Sequence, residues 1–505
     1  MASPGIVEIE RKYDVDEDTP VPALHELPGV SRVEQPVEHQ LEAVYYDTED
    51  LVLASRRITL RRRTGGSDAG WHLKLPEDGG RREFHEPLGE DSEDVPAPLL
   101  QLVRVHVRER NLVPVARLQT RRVVHSLRGA NDVLLADMSD DHVQARSLGP
   151  EPASTRWREW EIELVDGHQD LLDAGEALFA GAGVQPAGHG SKLARALGDR
   201  VLPAAPQPPQ PKRKGSAGAV MLGYLDQQVR VLKEQDPLVR LDAPDSVHQM
   251  RLATRRLRSA LATHRRLLQA DVTDRLRSEL RWLGHVLGAA RDAAVMQQRL
   301  AGMLAREDAT LVLGPVSRRL DIDFGQSYRD ARAAVLRALD QDRYFRLLDA
   351  LDALLADPPL TPQASKPAGK VIPKLVRRDM KRLKRAVKAA GGVPAGEKDP
   401  DPLLHEARKC AKRLRYAAEA AAPVAPRHAD RLEAASHEVQ DILGAHQDSV
   451  VARQLLRRLG AESLSLGENG FTYGRLHALE QEGAAESVKR FRQAWKKFPP
   501  AVLKK

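Results

Sequence analysis

Glu8-Ile9-Glu10-Arg11-Lys12 stands almost at the N-terminus, and its reading decides the fold. On a β-strand successive side chains alternate faces, so Glu8, Glu10 and Lys12 point one way and Val7, Ile9, Arg11 and Tyr13 the other. Two carboxylates in register can hold a hard divalent cation. An ammonium one step further can hold a phosphate oxygen that the cation carries. Alone, the pattern also describes a solvated edge strand with charges on its wet face. Further strands with charges on one face decide between the two, and the sequence supplies them.

Strand-like runs broken by Gly, Pro and Asp fill residues 6 to about 165. Run 7–15 is followed by a Pro-bounded piece (about 20–29) expected to be helical, and then by strands over 31–37 and 38–47. Run 56–63 places Arg57, Thr59, Arg61 and Arg63 on one face. Gly65-Gly66-Ser67 turns the chain into 70–75, which carries Lys74. Gly79-Gly80 turns it into 81–88, with Glu83 and His85 on one face. A helix is expected over 98–108. Runs 113–127 and 133–143 pair across Gly129-Ala130-Asn131-Asp132. Run 157–165 closes the set, with Glu159, Glu161 and Glu163 on one face and Trp160, Ile162 and Leu164 on the other. Such spacing predicts an antiparallel barrel or tightly curved sheet. A small barrel is normally filled by apolar side chains. Here one face of many strands alternates acids with Arg and Lys. Turned inward, that face forms a charged tunnel that needs a polyanion and a metal to neutralise it.

At 505 residues, 42% apolar and 30% charged, the chain exceeds one ordinary core, and two or three domains are expected. Its 78 Lys and Arg against 71 Asp and Glu leave a net charge of +7. That balance points to a polyanionic partner: nucleic acid, anionic lipid or polyphosphate. The single cysteine, Cys410, excludes an intramolecular disulfide framework and a cysteine-rich zinc site, and fits a reducing cytoplasm. No signal peptide or membrane anchor is expected, because no basic n-region with an apolar h-region opens the chain and no span approaches about twenty apolar residues.

Residues 203–215 read as a proline-rich linker ending in Lys212-Arg213-Lys214-Gly215. Beyond it the periodicity becomes helical and repeats. His248-Gln-Met-Arg251-Leu-Ala-Thr-Arg255-Arg256-Leu-Arg258 recurs as His405-Glu-Ala-Arg408-Lys-Cys-Ala-Lys412-Arg413-Leu-Arg415. Leu287-Gly288-Ala-Ala-Arg291-Asp292 recurs as Leu443-Gly444-Ala-His-Gln447-Asp448. A duplicated helical unit is predicted, over about 216–360 and 370–500. Helical spacing gathers His248, Arg251, Arg255 and Arg258 into one stripe and His405, Arg408, Lys412 and Arg415 into another. A third stripe runs through Lys374, Arg378, Lys381, Arg385 and Lys388. A basic helix face is ordinarily a solvated one balanced by acids. These stretches hold few acids and no Glu–Lys ladder, which favours anion binding. No His-Glu-x-x-His zincin pattern occurs. The glycine-rich stretch 391–398 fails as a phosphate loop, because Glu397 intervenes and no Ser or Thr follows Lys398. Cys410, in an Arg/Lys-rich helix, reads as a small packed residue.

Glu8-x-Glu10-x-Lys12, Leu60-Arg61-Arg62-Arg63, Leu73-Lys74, Arg82-Glu83, Asp137 after an apolar strand, Glu161-Ile162-Glu163 and Ser191-Lys192-Leu193 resemble, in order, the CYTH domains, or triphosphate tunnel metalloenzymes. The resemblance covers about 5–200. It implies an eight-stranded antiparallel tunnel that grips a triphosphate, with Mg²⁺ or Mn²⁺ on inward carboxylates. It implies Glu8, Glu10, Glu161 and Glu163 as the metal set, with Glu83 and Asp137 as further members; His85 stands where a third inward acid is expected. Lys12, Arg61, Arg63, Lys74, Arg122 and Lys192 become the phosphate grips. Glu161 or Glu163 becomes the base that activates water, with Lys12 beside it in the catalytic set. The repeated basic motifs resemble the CHAD domain over about 216–500. That implies two pseudo-symmetric four-helix bundles whose basic groove binds inorganic polyphosphate through the three stripes.

The expected whole is a multidomain α+β chain, with the tunnel over 1–202, the linker over 203–215 and the helical bundle over 216–505. The expected function is a cytoplasmic, metal-dependent inorganic triphosphatase that binds polyphosphate and stays close to polyphosphate granules, with no membrane partner. A non-catalytic polyphosphate-binding protein and a CYTH-type adenylate cyclase are the alternatives. Nucleic acid ranks last, because 4% aromatics give few stacking platforms.

Overall fold

The computed structural model describes residues 5–77, 79–89, 94–201, 214–391 and 401–500. Most of the linker, through residue 213, lies outside them, as do 392–398 of the glycine-rich stretch. The chain divides into two compact units, Met1–Pro206 and Gln207–Lys505.

The first unit is built on one antiparallel sheet. Its strands are β1 (Ile6–Glu8), β2 (Glu10–Val15), β3 (Arg32–Val33), β4 (Val37–Asp47), β5 (Thr59–Thr64), β6 (Gly70–Glu77), β7 (Gly80–Glu86), β8 (Val113–Arg128), β9 (Leu134–Ser147), β10 (Ser154–Leu164) and β11 (Gln185–Pro186). The order is β1-β7-β6-β5-β4-β8-β9-β10-β2-β11, with the short β3 on β8. Strands β1 and β2 are halves of one run, interrupted at Ile9. The first half bonds to β7 and the second to β10, and the Ile9 carbonyl accepts from Leu164 N–H at 3.0 Å. Counted once, that run joins the two ends of an eight-stranded wall, and its interior is the face of Glu8, Glu10 and Lys12.

Two local readings are corrected. The piece at 20–29 holds only a 3₁₀ turn, Leu24–Glu26, and the strand over 31–37 shrinks to Arg32–Val33; four prolines between residues 20 and 36 remove the N–H groups that either element needs. Strand β5 begins at Thr59, because Arg57 takes a left-handed φ of 60° at the end of the turn Ala54–Arg56. The buried Asp47 carboxylate fixes that turn by accepting from Thr48, Leu53 and Ala54 N–H at 2.7–2.8 Å.

The hydrophobic core lies mainly outside the wall. Tyr13, Trp160, Ile162 and Met138 pack on their outer side beneath Leu171, Leu172 and Phe179 of α2 (Gln169–Gly181). Inside, one end of the wall is apolar: Ala43, Leu118, Val143 and Trp157 hold Leu193, Ala196 and Leu197 of α3 (Lys192–Leu197). This short helix stoppers that end. Ser191 caps it, accepting from Ala194 N–H at 3.1 Å, and Lys192 therefore enters the interior. Helix α1 (Ala97–Val107) buries Leu99, Leu102 and Val103.

The second unit is helical among its described residues: α4 (Ala217–Arg240), α5 (Ser246–Thr263), α6 (Ala270–Leu304), α7 (Val316–Leu339), α8 (Asp342–Ala356), α9 (Ala368–Gly391), α10 (Asp401–Glu419), α11 (Pro426–Ser465) and α12 (Phe471–Lys496). Neighbours pack in sequence within α4–α7 and within α9–α12. The two sets meet through α4 on α9, α5 on α10 and α6 on α11. The repeated His motif lies on α5 and α10, and the Leu-Gly motif on α6 and α11. Helix α8 has no counterpart among the described helices of the second set. No helix is long and apolar enough to cross a membrane, among the described residues.

Candidate active site

The cavity inside the wall is lined by Glu8, Glu10, Lys12, Arg61, Arg63, Lys74, Glu83, Arg122, Glu161, Glu163 and Lys192, together with Tyr45, Thr59, Asp68, Arg81 and Ser191. All the residues singled out for the tunnel meet here except Asp137. That side chain accepts from Ser126 Oγ at 2.6 Å and lies beyond the lining. His85 is exposed and rests on the His72 ring, 4.8 Å between centroids.

One group of charges is balanced. Glu161 receives Lys12, Lys192 at 2.6 Å and Arg122 at 2.6 Å. Arg122 also grips Asp141 through two nitrogens, at 2.8 and 2.6 Å. Its neighbour Arg121 is exposed and pairs with Glu38 at 3.3 Å. Lys192 reaches Asp141 at 2.9 Å and Glu159 at 2.7 Å as well. Burial favours a neutral Glu161, but the charges of Lys12, Lys192 and Arg122 outweigh it and hold the carboxyl well below the usual range. Carboxylate oxygens of Asp141, Glu159 and Glu161 lie within 4.8 Å of one another, a spacing that suits a metal. The Lys192 ammonium already stands among them.

A second group is short of positive charge. Glu10 and Glu163 are direct cross-strand partners, and Asp137 stands opposite Glu163 on β9. Like charges in a row across three strands are unfavourable unless a cation lies among them. Lys12 serves Glu10 at 2.9 Å, and Lys74 serves Glu8 and, at 3.7 Å, Glu83. Glu163 has no ion-pair partner among the described residues. Burial and a hydrogen bond with Glu83 push Glu8 up to about 8 against the Lys74 charge. Burial raises Glu163 too. An all-oxygen set of four glutamates served by only two lysines fits a hard divalent cation such as Mg²⁺ or Mn²⁺.

A third group gathers arginines. Arg61 has no carboxylate partner among the described residues and touches the Tyr45 hydroxyl at 3.4 Å. Burial, with the charges of Arg61 and Arg122, pushes Arg63 down to about 9. Asp68 is its ion-pair partner. His72 bridges Glu83 at 2.7 Å and the Asp68 carbonyl at 2.9 Å.

Sequence reading missed Asp141, Tyr45 and Asp68. It placed Glu159 on the right face without assigning it a role. Face alternation from Arg122's partner strand could have found Asp141; nothing in the sequence marks Asp68 beyond its turn.

In the helical unit the two repeated motifs explain each other. The Arg251 guanidinium rests on Gly288, where a Cβ atom would lie 3.5 Å from it, and reaches Asp292 at 2.8 Å. Arg408 rests on Gly444 at the same 3.5 Å, and its charge counters the upward push of burial on Asp448. Helices α5 and α10, which carry the first two stripes, pack on each other; burial and the charges of Arg251 and Arg408 lower Arg255, against Tyr416. Arg258 is lowered by burial and by Arg255, Arg281 and Arg277. Lys374, Arg378, Lys381 and Arg385 are exposed on α9. The last three line a second cavity with Arg382 and Arg413. There the buried Asp379 holds Arg413 at 2.7 Å and accepts from Thr263 at 2.7 Å. Arg415 leaves its stripe for Glu433 on α11, at 2.7 Å, and Lys412 is half-buried. Burial and neighbouring cations lower His248 and His405, so neither adds charge at neutral pH.

Fold and site define a tunnel metalloenzyme domain that acts on phosphate compounds, joined to a helical domain. Residues 7–194 match the CYTH domain and residues 223–457 the CHAD domain. The chain is 41% identical over 514 aligned residues to "Uncharacterized protein MT2285" of Mycobacterium tuberculosis (strain CDC 1551 / Oshkosh), spanning 99% of this chain and 97% of the relative. The same figures hold for "Uncharacterized protein Rv2226" of strain H37Rv. Among solved structures, "PptA from Streptomyces chartreusis" aligns at TM-score 0.47 and 24% identity, over 56% of this chain and 100% of that one. The CHAD domain from the plant Ricinus communis aligns at 0.42 and 24%, over 59% and 92%. The chain belongs to the family of CYTH–CHAD fusion proteins.

Proposed function

We propose that the tunnel hydrolyses inorganic triphosphate with Mg²⁺ or Mn²⁺, and that the helical domain binds inorganic polyphosphate. One observation carries the first half: a single cavity is lined both by Arg61 and Arg63 and by Glu8, Glu10, Glu83 and Glu163, with Arg61 lacking a carboxylate partner and Glu163 an ion-pair partner among the described residues. A triphosphate with its cation supplies both. Glu8 and Glu10, with Glu83, would hold the cation, whose chemistry is to draw charge from phosphoryl oxygens. Arg61 and Arg63 bind the phosphates. Lys12, Lys192 and Arg122, fixed on Glu161, present further positive charge to the oxygens on which charge develops. Glu161 is too firmly ionised to take a proton near neutrality. Glu163 is raised by burial and is assigned the proton of the attacking water. Water bonds to the terminal phosphorus and the bond to the bridging oxygen breaks, leaving orthophosphate and pyrophosphate. Tyr45 is the only aromatic side chain among the described residues that line the cavity, so no platform for a nucleobase supports the cyclase reading.

Convergence of Arg251, Arg255 and Arg408, with the exposed cations of α9, supports the polyphosphate half. A domain bound to polyphosphate would keep the tunnel in the cytoplasm beside its class of substrate, at a granule.

Phosphate release by the full chain at mildly alkaline pH tests the enzyme. Triphosphate, thiamine triphosphate, ATP and long-chain polyphosphate are compared with Mg²⁺, Mn²⁺ or neither. Metal-dependent release from triphosphate, lost in Glu8→Ala/Glu10→Ala, is the expected result. No release from any substrate refutes the hydrolase. Arg255→Ala/Arg408→Ala should bind long-chain polyphosphate more weakly; unchanged binding refutes the groove.

A further inference from the structure

Between β5 and β6 the chain turns through Gly65 and Gly66, with φ of 78° and 76°. A Cβ at Gly65 would lie 2.1 Å from the Gln40 carbonyl oxygen, so the turn is seated hard against β4. Seated this way, it carries Asp68 to the cavity lining. The Asp68 carboxylate pairs with Arg63, and its carbonyl meets His72 at 2.9 Å. The Arg63 side chain is 7% exposed and that of Asp68 57%. An acid open to water therefore sits on a buried guanidinium of the arginine cluster.

We propose that Asp68 is an internal competitor for the phosphate seat on Arg63, which must yield before a substrate phosphate is gripped and which returns as product leaves. The inference rests on the reading of Arg63 as a phosphate grip. A guanidinium offers a planar fork of donors, and a carboxylate and a phosphate oxygen contend for the same N–H groups. Asp68 brings one negative charge. A triphosphate brings several, with further contacts to the other cations, and displaces it. Orthophosphate makes fewer such contacts and displaces it poorly. A seat that must first be vacated weakens every ligand that needs it by the same factor, so Asp68 loosens product and substrate alike.

Steady-state hydrolysis of tripolyphosphate with Mg²⁺ by the full chain tests this, in the parent, Asp68→Asn, Arg63→Ala and the double variant. Asp68→Asn should lower both KM and the inhibition constant of orthophosphate by about three- to tenfold, the range of one partly exposed charged contact. The two factors should match. Both shifts should vanish on the Arg63→Ala background. Asp68→Ser repeats the comparison without an amide. A KM and inhibition constant that stay put or rise in both Asp68 variants, with the parent active, overturn the proposal and leave the tunnel reading standing. A parent without turnover overturns the tunnel reading, and the proposal with it.

Discussion

Lys192→Met removes one positive charge from a buried acidic cluster while keeping the bulk of the stem. The ammonium lies 2.9, 2.7 and 2.6 Å from Asp141, Glu159 and Glu161. In the parent these three acids face three cations, Lys192, Lys12 and Arg122. At an effective dielectric near 20 each Lys192 contact is worth roughly 6 kcal/mol of gross attraction. A domain of marginal stability cannot leave the cluster ionised at such a cost, so the variant takes up a proton instead. Protonating a carboxyl of ordinary pKa near 4.3 costs about 3.7 kcal/mol at pH 7, and that caps the loss. In a unit of some 200 residues, 1 kcal/mol moves Tm by about 2–4 °C, so a fall of about 7–15 °C is expected at pH 7. At pH 5 protonation costs about 1 kcal/mol, and the fall shrinks to about 2–4 °C. The sign follows from a folded-state pKa raised above the unfolded one: the penalty grows as pH rises above 4.3 and fades as it drops back. Mn²⁺ can enter the vacated centre, and at about 100 times its Kd restores about 2.7 kcal/mol. Tryptophan fluorescence follows the melt, since Trp71, Trp157 and Trp160 are buried in this unit. A fall below about 3 °C at pH 7, or one that deepens on acidification, refutes the charge balance argued for the cluster.

In the helical unit, buried His264 donates from Nδ1 to the Ala260 carbonyl at 2.9 Å, and burial pushes it down to about 4. Its folded pKa lies below the unfolded value, so stability is full above about 6.5 and falls by about 3 kcal/mol on the way to pH 4. Melting curves across that window should flatten in His264→Gln. Gly288→Ala puts a Cβ in ordinary contact with Arg251 and should leave polyphosphate affinity unchanged; Gly288→Leu should drive the guanidinium off Asp292 and weaken binding several-fold, read by anisotropy of labelled polyphosphate. Gly70→Ala would place its Cβ 2.1 Å from His85 Nε2 and 2.7 Å from the Glu86 carbonyl oxygen. Chemical denaturation should show a loss of about 1–3 kcal/mol.

The tunnel was legible because a strand has a period of two, and a face survives errors in the ends of an element. Run 56–63 starts ahead of its strand, since the left-handed Arg57 cannot be read from composition, yet Thr59, Arg61 and Arg63 still share the inward face. Period gives the face and not the depth. Asp137 is on the correct face, opposite Glu163, but lies beyond the cavity and serves Ser126. On helices the same limit shows at Arg415, which the spacing puts on the basic stripe and Glu433 draws away. The repeats were legible as strings, but their purpose was not. The glycine of each Leu-Gly motif is the seat of the other motif's arginine, a relation between α5 and α6 and between α10 and α11 that no single helix displays.

A charged barrel interior is costly unless hydrophobic burial is supplied elsewhere and the charges are paired. Both conditions are met by the chain. Trp160 and Tyr13, at 0% and 1% exposure, put their bulk on the outer side of the strands that carry Glu161 and Lys12 inward. Each strand therefore stabilises the fold with one face and holds the charges with the other. Helix α3 joins the two functions: Leu193 and Leu197 close the apolar end while Lys192, on the same short helix, neutralises the acids above it. What remains is Glu163 on one side and Arg61 on the other, neither with an ion-pair partner among the described residues, while Glu8 has Lys74 and Arg63 has the water-exposed Asp68. A site that were only structural would have paired those groups as completely as it paired Glu161. Their shortfall, beside a Glu161 cluster that is fully paired, points to a ligand carrying both signs.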